Sequence, residues 1–311
     1  MTPESGNHFV PFISEYTAIV DRARNVIAGL PPRLRGLAEP LLPELAGSDF
    51  SRIVALLPYW VAGLLDGLEP ATGNPRPSTE GEAETLGLAN LLGWWSYLIQ
   101  DRVLDREMDR PELLPLATAL HVTAVRLLEQ LLPGHEAFWD AFQHLSLVSA
   151  EAHCWEQQSH RLPLTGPVGN LVDLDRLADR SALLQLAVVA QFALRGYDPD
   201  HPLHQVLAEA LRQYAIARQI GDDLTDWLED LRRGRLNYVS ACVVHRMHER
   251  GAIQAYAELD ADQMAGFFLY DDALLAAIQR TALDACQRAA ASLVPYESPY
   301  LSGLVDELRA Q

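Results

Sequence analysis

Apolar residues recur at helical spacing through nearly the whole chain, and the two-residue alternation of a half-buried strand is scarce. Leu, Ala, Arg, Gln and Glu, all good helix formers, fill these segments. The pattern predicts helices over 9–29, 33–46, 50–68, 80–108, 111–132, 135–160, 171–195, 202–233, 236–250, 252–266 and 271–293, with a short one at 299–309. Breaks fall at Glu69–Pro77, Leu162–Gly169 and Gly196–Pro202, where Pro and Gly cluster. Thr79 followed by Glu82 is the capping-box signature of the helix that follows the first break. Neither a repeat nor a long flexible linker interrupts the chain. The expectation is an all-α fold: one antiparallel helical bundle around a central cavity, spanning 9–311, after a disordered 1–8.

Bulk properties narrow the function. A chain of 311 residues can bury a large core. The formal net charge of −18 argues against a nucleic-acid partner or an anionic membrane surface. The longest greasy segment, Ser181–Leu194, is broken by Gln185 and Gln191 and is too short for a transmembrane segment. Three cysteines without paired spacing suggest a reducing compartment and no thiolate metal site. The N-terminus carries no secretion signal, so a cytoplasmic location is expected.

The chemistry concentrates in two acidic segments. Gln219-Ile-Gly-Asp-Asp-Leu-Thr-Asp-Trp-Leu-Glu-Asp230 holds Asp222, Asp223, Asp226 and Asp230. Four residues advance a helix by about 400°, so Asp222, Asp226 and Asp230 form one row about 6 Å apart. Such a row repels itself and calls for a cation. Hard oxygen donors suit Mg²⁺, which keeps several waters and shares carboxylates with substrate phosphates. Asp101 and Asp105 repeat the spacing, on a helix where Trp94, Tyr97 and Leu98 precede Asp101 on the same stripe. Two such helices face to face would make an apolar well with an acidic rim, a shape for a hydrocarbon tail with an anionic head. An Asp-x-x-x-Asp on its own is usually a solvated helix face laced with Arg. The pair of clusters together is what points to metal-diphosphate chemistry.

These segments resemble the paired motifs of the class I isoprenoid synthases: trans-prenyl diphosphate synthases, squalene and phytoene synthases, and class I terpene cyclases. Gln219–Asp226 is similar to the second aspartate-rich motif of prenyl diphosphate synthases, and Glu229-Asp-Leu-Arg-Arg-Gly-Arg235 to its continuation in the squalene and phytoene group. Asp101-Arg-Val-Leu-Asp105 matches the first motif at its ends, with Arg102 where a second aspartate is usual. Arg180-Ser-Ala182 resembles the basic helix start that contacts diphosphate, and Pro32-Arg-Leu-Arg35 a remnant of a Gly-Gly-Lys-Arg-x-Arg-Pro segment. The resemblance implies an isoprenoid-synthase bundle and a prenyl diphosphate substrate. It implies three Mg²⁺ ions held by Asp101, Asp105, Asp222, Asp223, Asp226 and Asp230. Arg180, Arg233 and Arg235 would contact diphosphate. The resembling synthases are often dimers, which makes a homodimer the expected assembly.

Ionisation of an allylic diphosphate leaves a carbocation that needs a dry pocket and electron-rich faces. Trp94, Tyr97, Leu98, Phe192 and Trp227 are the candidate cavity residues, with Phe142 and Trp155 behind them. For each aromatic, packing between helices is the simpler reading. Elongating synthases of the resembling group bind a second diphosphate in a basic pocket that looks eroded here. Only Arg33 and Arg35 remain of the basic segment, and Arg110-Pro111 follows the first motif. The leading expectation is therefore a terpene cyclase acting on one allylic diphosphate. Transfer of the prenyl group to isopentenyl diphosphate or another acceptor is the alternative. A non-catalytic regulatory subunit, suggested by Arg102, is the third reading, which the intact 222–230 row disfavours.

Overall fold

The computed structural model describes residues 10–67, 79–161, 172–253, 259–296 and 298–310. Among them there are fourteen α-helices and no strand, with a single isolated bridge pairing the backbones of Arg161 and Arg235. The helices are α1 (Ile13–Ala28), α2 (Pro32–Ala38), α3 (Leu42–Gly47), α4 (Asp49–Asp66), α5 (Glu80–Leu104), α6 (Leu114–Leu131) and α7 (Glu136–Ser159). There follow α8 (Leu174–Arg180), α9 (Leu186–Arg195), α10 (Pro202–Arg232), α11 (Tyr238–Glu249), α12 (Ala261–Leu269), α13 (Asp272–Leu293) and α14 (Pro299–Ala310). The all-α expectation holds. The breaks at 69–77 and 162–169 and the N-terminal 1–8 lie outside the described residues.

Several predicted helices divide where the chain carries a local reason. The 33–46 stretch becomes α2 and α3: Glu39 still has helical backbone, but Pro40 after it has no N–H to offer the Gly36 carbonyl. The 171–195 stretch becomes α8, a 3₁₀ turn over Ala182–Gln185, and α9. Ser181, in a non-helical conformation, closes α8. The segment Arg180-Ser-Ala182 thus marks the end of one helix rather than the start of another. The Thr79 capping box forms as read: the Glu82 N–H donates to Thr79 Oγ1 at 3.3 Å, and the Thr79 N–H donates to Glu82 Oε2 at 2.9 Å.

The chain divides into two compact units. The first comprises Met1–Ala141, Leu186–His204 and Tyr296–Tyr300; the second comprises Phe142–Gln185, Gln205–Pro295 and Leu301–Gln311. In the first unit α5 is the central element, packed on α1, α4 and α6. Its buried face, Leu88, Leu91, Leu92, Trp95 and Ile99, meets Ile19 and Ala23 of α1 and Leu116, Leu120 and Ala124 of α6. Helices α5 and α4 approach so closely at Gly87 that a Cβ there would stand 2.5 Å from the Ala55 carbonyl oxygen and 2.7 Å from Ile19 Cδ1. Trp95, fully buried, donates its indole N–H to Ser51 Oγ at 3.2 Å.

Pro58 lies inside α4 and has no N–H to offer the Val54 carbonyl. Asn90 of α5 reaches that oxygen at 3.5 Å, and Gln191 of α9 donates to the Pro58 carbonyl at 3.1 Å. Arg195, 3 % exposed at the end of α9, donates to the Ala62 carbonyl at 2.9 Å and to Asp66 Oδ1 at 2.7 Å. It supplies the terminal carbonyls of α4 with a cation, which the helix dipole favours.

Candidate functional site

The acidic half of α10 lies in the second unit, and its four aspartates sort into two pairs. Asp222 and Asp226 are solvent-exposed; Asp223 and Asp230 are 5 % and 6 % exposed. Positions 223 and 230 are seven apart, which returns a side chain to nearly the same face after two turns. That face is covered by the start of α11. Asp223 Oδ2 accepts the Tyr238 N–H at 2.8 Å, and its Oδ1 accepts Gln219 Nε2 at 2.7 Å. Asp230 Oδ1 accepts Arg235 Nη2 at 3.0 Å, and its Oδ2 accepts Asn237 Nδ2 at 3.1 Å.

Asn237 closes this latch. Its Oδ1 caps α11 by accepting the Ser240 N–H at 3.1 Å, and its Nδ2 also donates to the Asp223 carbonyl at 3.2 Å. Between the helices the chain turns at Gly234, whose φ of 79° is left-handed. The Gly234 N–H donates to the Leu231 carbonyl at 2.9 Å and the Arg235 N–H to the Asp230 carbonyl at 2.9 Å. These two bonds form a Schellman close of α10.

Burial pushes the Asp223 carboxyl up to about 7. The hydrogen bonds from Gln219 and the Tyr238 N–H and the charge of Arg180 pull the other way, while Glu156 adds to the rise. Asp222 is also raised, by crowding from surrounding protein first and by the Asp226 charge one turn on, with Arg218 opposing. The side chain of Asp222 is nevertheless 54 % exposed, so water offsets much of the crowding. Arg218 approaches Asp222 only to 3.6 Å.

Asp222 and Asp226 are two hard oxygen donors, mutually repelling and open to solvent, which is the chemistry a Mg²⁺ ion fits. Among the described residues no group of three or more His, Cys, Asp or Glu is gathered as a metal cage. A Mg²⁺ ion bound through one or two carboxylates plus substrate phosphates does not need one.

In the first unit, Asp101 and Asp105 occupy the end of α5. Asp105 is its C-cap and is 6 % exposed, with its N–H donating to the Asp101 carbonyl at 2.8 Å. Arg106 follows with φ 59°, and the Glu107 N–H returns to the Arg102 carbonyl at 2.9 Å. Arg102 is held by Glu44 of α3 and lies 3.9 Å from Glu107. The predicted continuation of this helix to 108 therefore stops at Leu104.

The predicted diphosphate contacts are engaged with carboxylates. Arg180 pairs with Glu156 at 2.7 Å, Arg233 with Glu229 at 2.6 Å and Arg235 with Asp230 at 3.0 Å. Arg233 and Glu229 form an exposed i,i+4 pair, the kind that binds weakly and exchanges readily. Glu156 and Asn237 had not been singled out. Asn237 does carry a legible signal, a capping residue just before the apolar run of α11; Glu156 is one polar residue among many on α7.

The candidate cavity residues separate by unit. In the first, Trp94 stacks edge-on against Phe50 at 4.5 Å and lies 5.4 Å from Tyr97, and Leu98 packs on the same core. Among the described residues none accepts the buried Trp94 indole N–H. Phe192 is enclosed by Tyr197, His201 and His204, with ring centroids 5.3–5.8 Å away. In the second, Trp227 packs on Phe268 at 5.1 Å.

With this geometry in view, the likeness to solved structures is informative. The chain superposes on a polyprenyl synthase from Roseobacter denitrificans with a TM-score of 0.70, at 18 % identity and 98 % coverage of both chains. It superposes on a geranylgeranyl pyrophosphate synthetase from the archaeon Geoglobus acetivorans with a TM-score of 0.74, at 16 % identity, covering 96 % of this chain and 99 % of the other. A farnesyl diphosphate synthase from T. brucei, complexed with a bisphosphonate, gives 0.65 at 14 % identity over 99 % and 98 %. No family profile and no curated protein sequence matches the chain. The fold is that of the class I isoprenoid synthases, shared end to end with these prenyl diphosphate synthases. Among the described residues no single helix is long and apolar enough to cross a membrane.

Proposed function

We propose that the protein is a Mg²⁺-dependent prenyltransferase that ionises an allylic prenyl diphosphate and joins the prenyl group to an acceptor. The observation that carries this is the exposed Asp222–Asp226 pair on a helix whose other aspartates are tied down, within a fold shared over its whole length with prenyl diphosphate synthases. The cyclase expected from the eroded basic segment becomes the second reading, because these fold neighbours are named as polyprenyl, geranylgeranyl and farnesyl diphosphate synthases and none as a cyclase.

Asp222 and Asp226 would hold the metal. When bound, Mg²⁺ neutralises the departing diphosphate and orients it. The chain's own residues do the rest. The Asp223–Asp230–Asn237 latch fixes the rotation of α10, so that Asp222 and Asp226 keep their outward aim. Arg233, on its exposed and exchangeable pair with Glu229, supplies a guanidinium that can turn to a phosphate oxygen. Aromatic faces such as Trp94 and Tyr97 suit a cationic hydrocarbon once water is excluded.

Cyclisation keeps one specific observation in its favour. Of the basic segment only Arg33, which is exposed, and Arg35, 3.8 Å from Glu39, remain for a second diphosphate. The deciding experiment incubates the protein and Mg²⁺ with geranyl, farnesyl and geranylgeranyl diphosphates, each with and without isopentenyl diphosphate. Pyrophosphate release with a lengthened product only when the acceptor is present is the expected result. A cyclic hydrocarbon or alcohol without acceptor transfers the assignment to the second reading, and no pyrophosphate release in any arm removes both.

A further inference from the structure

Arg218 belongs to the same stripe of α10 as the outward aspartates. Tyr214, Arg218, Asp222 and Asp226 follow one another at four-residue steps, so each side chain lies about one turn from the last. Arg218 and Asp226 are the neighbouring charges that act on the Asp222 carboxyl, in opposite directions. The self-repelling pair thus has a cation of the chain's own beside it.

The guanidinium is anchored on one side. Tyr214 is 3 % exposed, and its hydroxyl oxygen accepts a hydrogen bond from Arg218. Burial pushes that hydroxyl up to about 12, so it stays protonated and uncharged at neutral pH. On the other side the contact is loose. Arg218 Nη2 stands 3.6 Å from Asp222 Oδ2, beyond hydrogen-bond distance. Arg180, Arg233 and Arg235 close on their carboxylates at 2.6–3.0 Å. The order of the residues agrees with this difference: on a helix, an acid four residues before a cation pairs better than one four residues after it. Arg218 is therefore held by Tyr214 while Asp222, its side chain 54 % exposed, stays open to another cation.

We propose that Arg218 is a fixed counter-ion that decides in what form the Asp222–Asp226 pair accepts its metal: it opposes Mg²⁺ arriving as a bare ion and favours Mg²⁺ arriving on a diphosphate. The reason is charge. A bare Mg²⁺ ion adds two positive charges near the guanidinium and is repelled by it. The complex of Mg²⁺ with diphosphate is a net anion, and the same guanidinium attracts it. Metal and diphosphate then each raise the affinity for the other. Arg218 acts on the metal pair rather than on the bond that breaks, which makes it a positioning residue. The inference deepens the reaction proposed above and rests on the metal role given there to Asp222 and Asp226.

The test is equilibrium dialysis of the full chain, with Mn²⁺ standing in for Mg²⁺ as another octahedral ion that takes oxygen ligands. One arm measures radiolabelled Mn²⁺ alone; the other measures radiolabelled pyrophosphate in excess Mn²⁺. Arg218→Gln removes the charge and keeps a donor for Tyr214. It should bind Mn²⁺ alone about tenfold more tightly and pyrophosphate with Mn²⁺ about tenfold more weakly, each equivalent to about 1.4 kcal/mol. Arg218→Lys keeps the charge and should stay within about threefold of wild type in both arms. Asp222→Asn with Asp226→Asn should abolish Mn²⁺ retention. Circular dichroism checks the fold, and Arg218→Met supplies the same loss of charge should the Gln variant not fold.

Changes of the same sign in the two arms, or unchanged affinities in Arg218→Gln, overturn the role of Arg218 and leave the metal pair standing. A Lys variant that behaves like the Gln variant overturns the charge argument. Mn²⁺ retained by the double aspartate variant as by wild type, or by neither in either arm, removes the metal pair itself and the proposed reaction with it.

Discussion

The ends of α5 and α10 use one backbone device with different residues, and the acidic side chains around it serve different ends. Both helices close with a Schellman pattern, the N–H two positions past the cap returning five residues back: Glu107 to Arg102 at 2.9 Å and Arg235 to Asp230 at 2.9 Å. In α10 the left-handed position is Gly234; in α5 it is Arg106. In α10 the aspartates precede the close by a full turn or more, so the helix can sort them into an outward pair and an inward pair. In α5 the close falls on Asp105, which becomes a buried cap, while Asp101 stays one turn inside the helix. Equal spacing in sequence therefore does not give equal chemistry. What decides is where the helix stops relative to the carboxylates.

The sharpest way to break this comparison is to remove one outward aspartate. Asp222→Ala or Asp226→Ala should lower pyrophosphate release by on the order of 10³-fold, a transition-state loss of about 4 kcal/mol. Urea unfolding in the same variants should move by less than about 0.5 kcal/mol, since both side chains are exposed. Activity near wild type in either variant would remove the proposed metal role.

The inward pair should behave in the opposite way. Asp230→Ala takes the carboxylate from Arg235 and Asn237 and should cost about 3 kcal/mol of stability, read as a lower urea midpoint. A stability unchanged from wild type would mean that the α10–α11 latch is ornamental.

Asp223 adds a pH dependence of definite sign. Its carboxyl is pushed up to about 7 from an ordinary 3.8, so the unfolded chain gives up this proton more easily than the folded one. The contribution to stability is complete below about pH 4 and is lost as the pH rises through about 7. In EDTA, the stability of wild type relative to Asp223→Asn should therefore decline across that window. A difference that is flat, or that grows with pH, would contradict the assigned burial.

The smallest effects lie at the two closes. Gly234→Ala should destabilise by about 1–2 kcal/mol, and Arg106→Gly should stabilise by up to about 1 kcal/mol, because a side chain at a left-handed position is strained by roughly that much. Thermal unfolding of the two variants, moving in opposite directions, would show that the closes are equivalent.

The fold class was legible because helical periodicity is written in every segment, and the Thr79 capping box because its two residues act locally. Helix breaks were less legible where the cause is a single residue: Pro40 divides 33–46, and Arg106 ends α5 without a glycine to announce it. The division of the α10 aspartates was invisible to a spacing argument. Asp222, Asp226 and Asp230 form a row by periodicity, yet Asp230 turns into a contact with Asn237, which the chain supplies only after reversing direction. The Glu156–Arg180 pair joins residues twenty-four apart in sequence and depends on tertiary placement alone.

Gly87 has a mechanical consequence for chemistry far along its helix. It sits fourteen residues before Asp101, about 21 Å down a rigid rod, and is the point where α5 touches backbone with no spacer. A methyl group inserted there would act as a wedge under a pivot. A tilt of only about 3° would carry the far tip of the rod, with Asp101 and Asp105 on it, roughly 1 Å sideways.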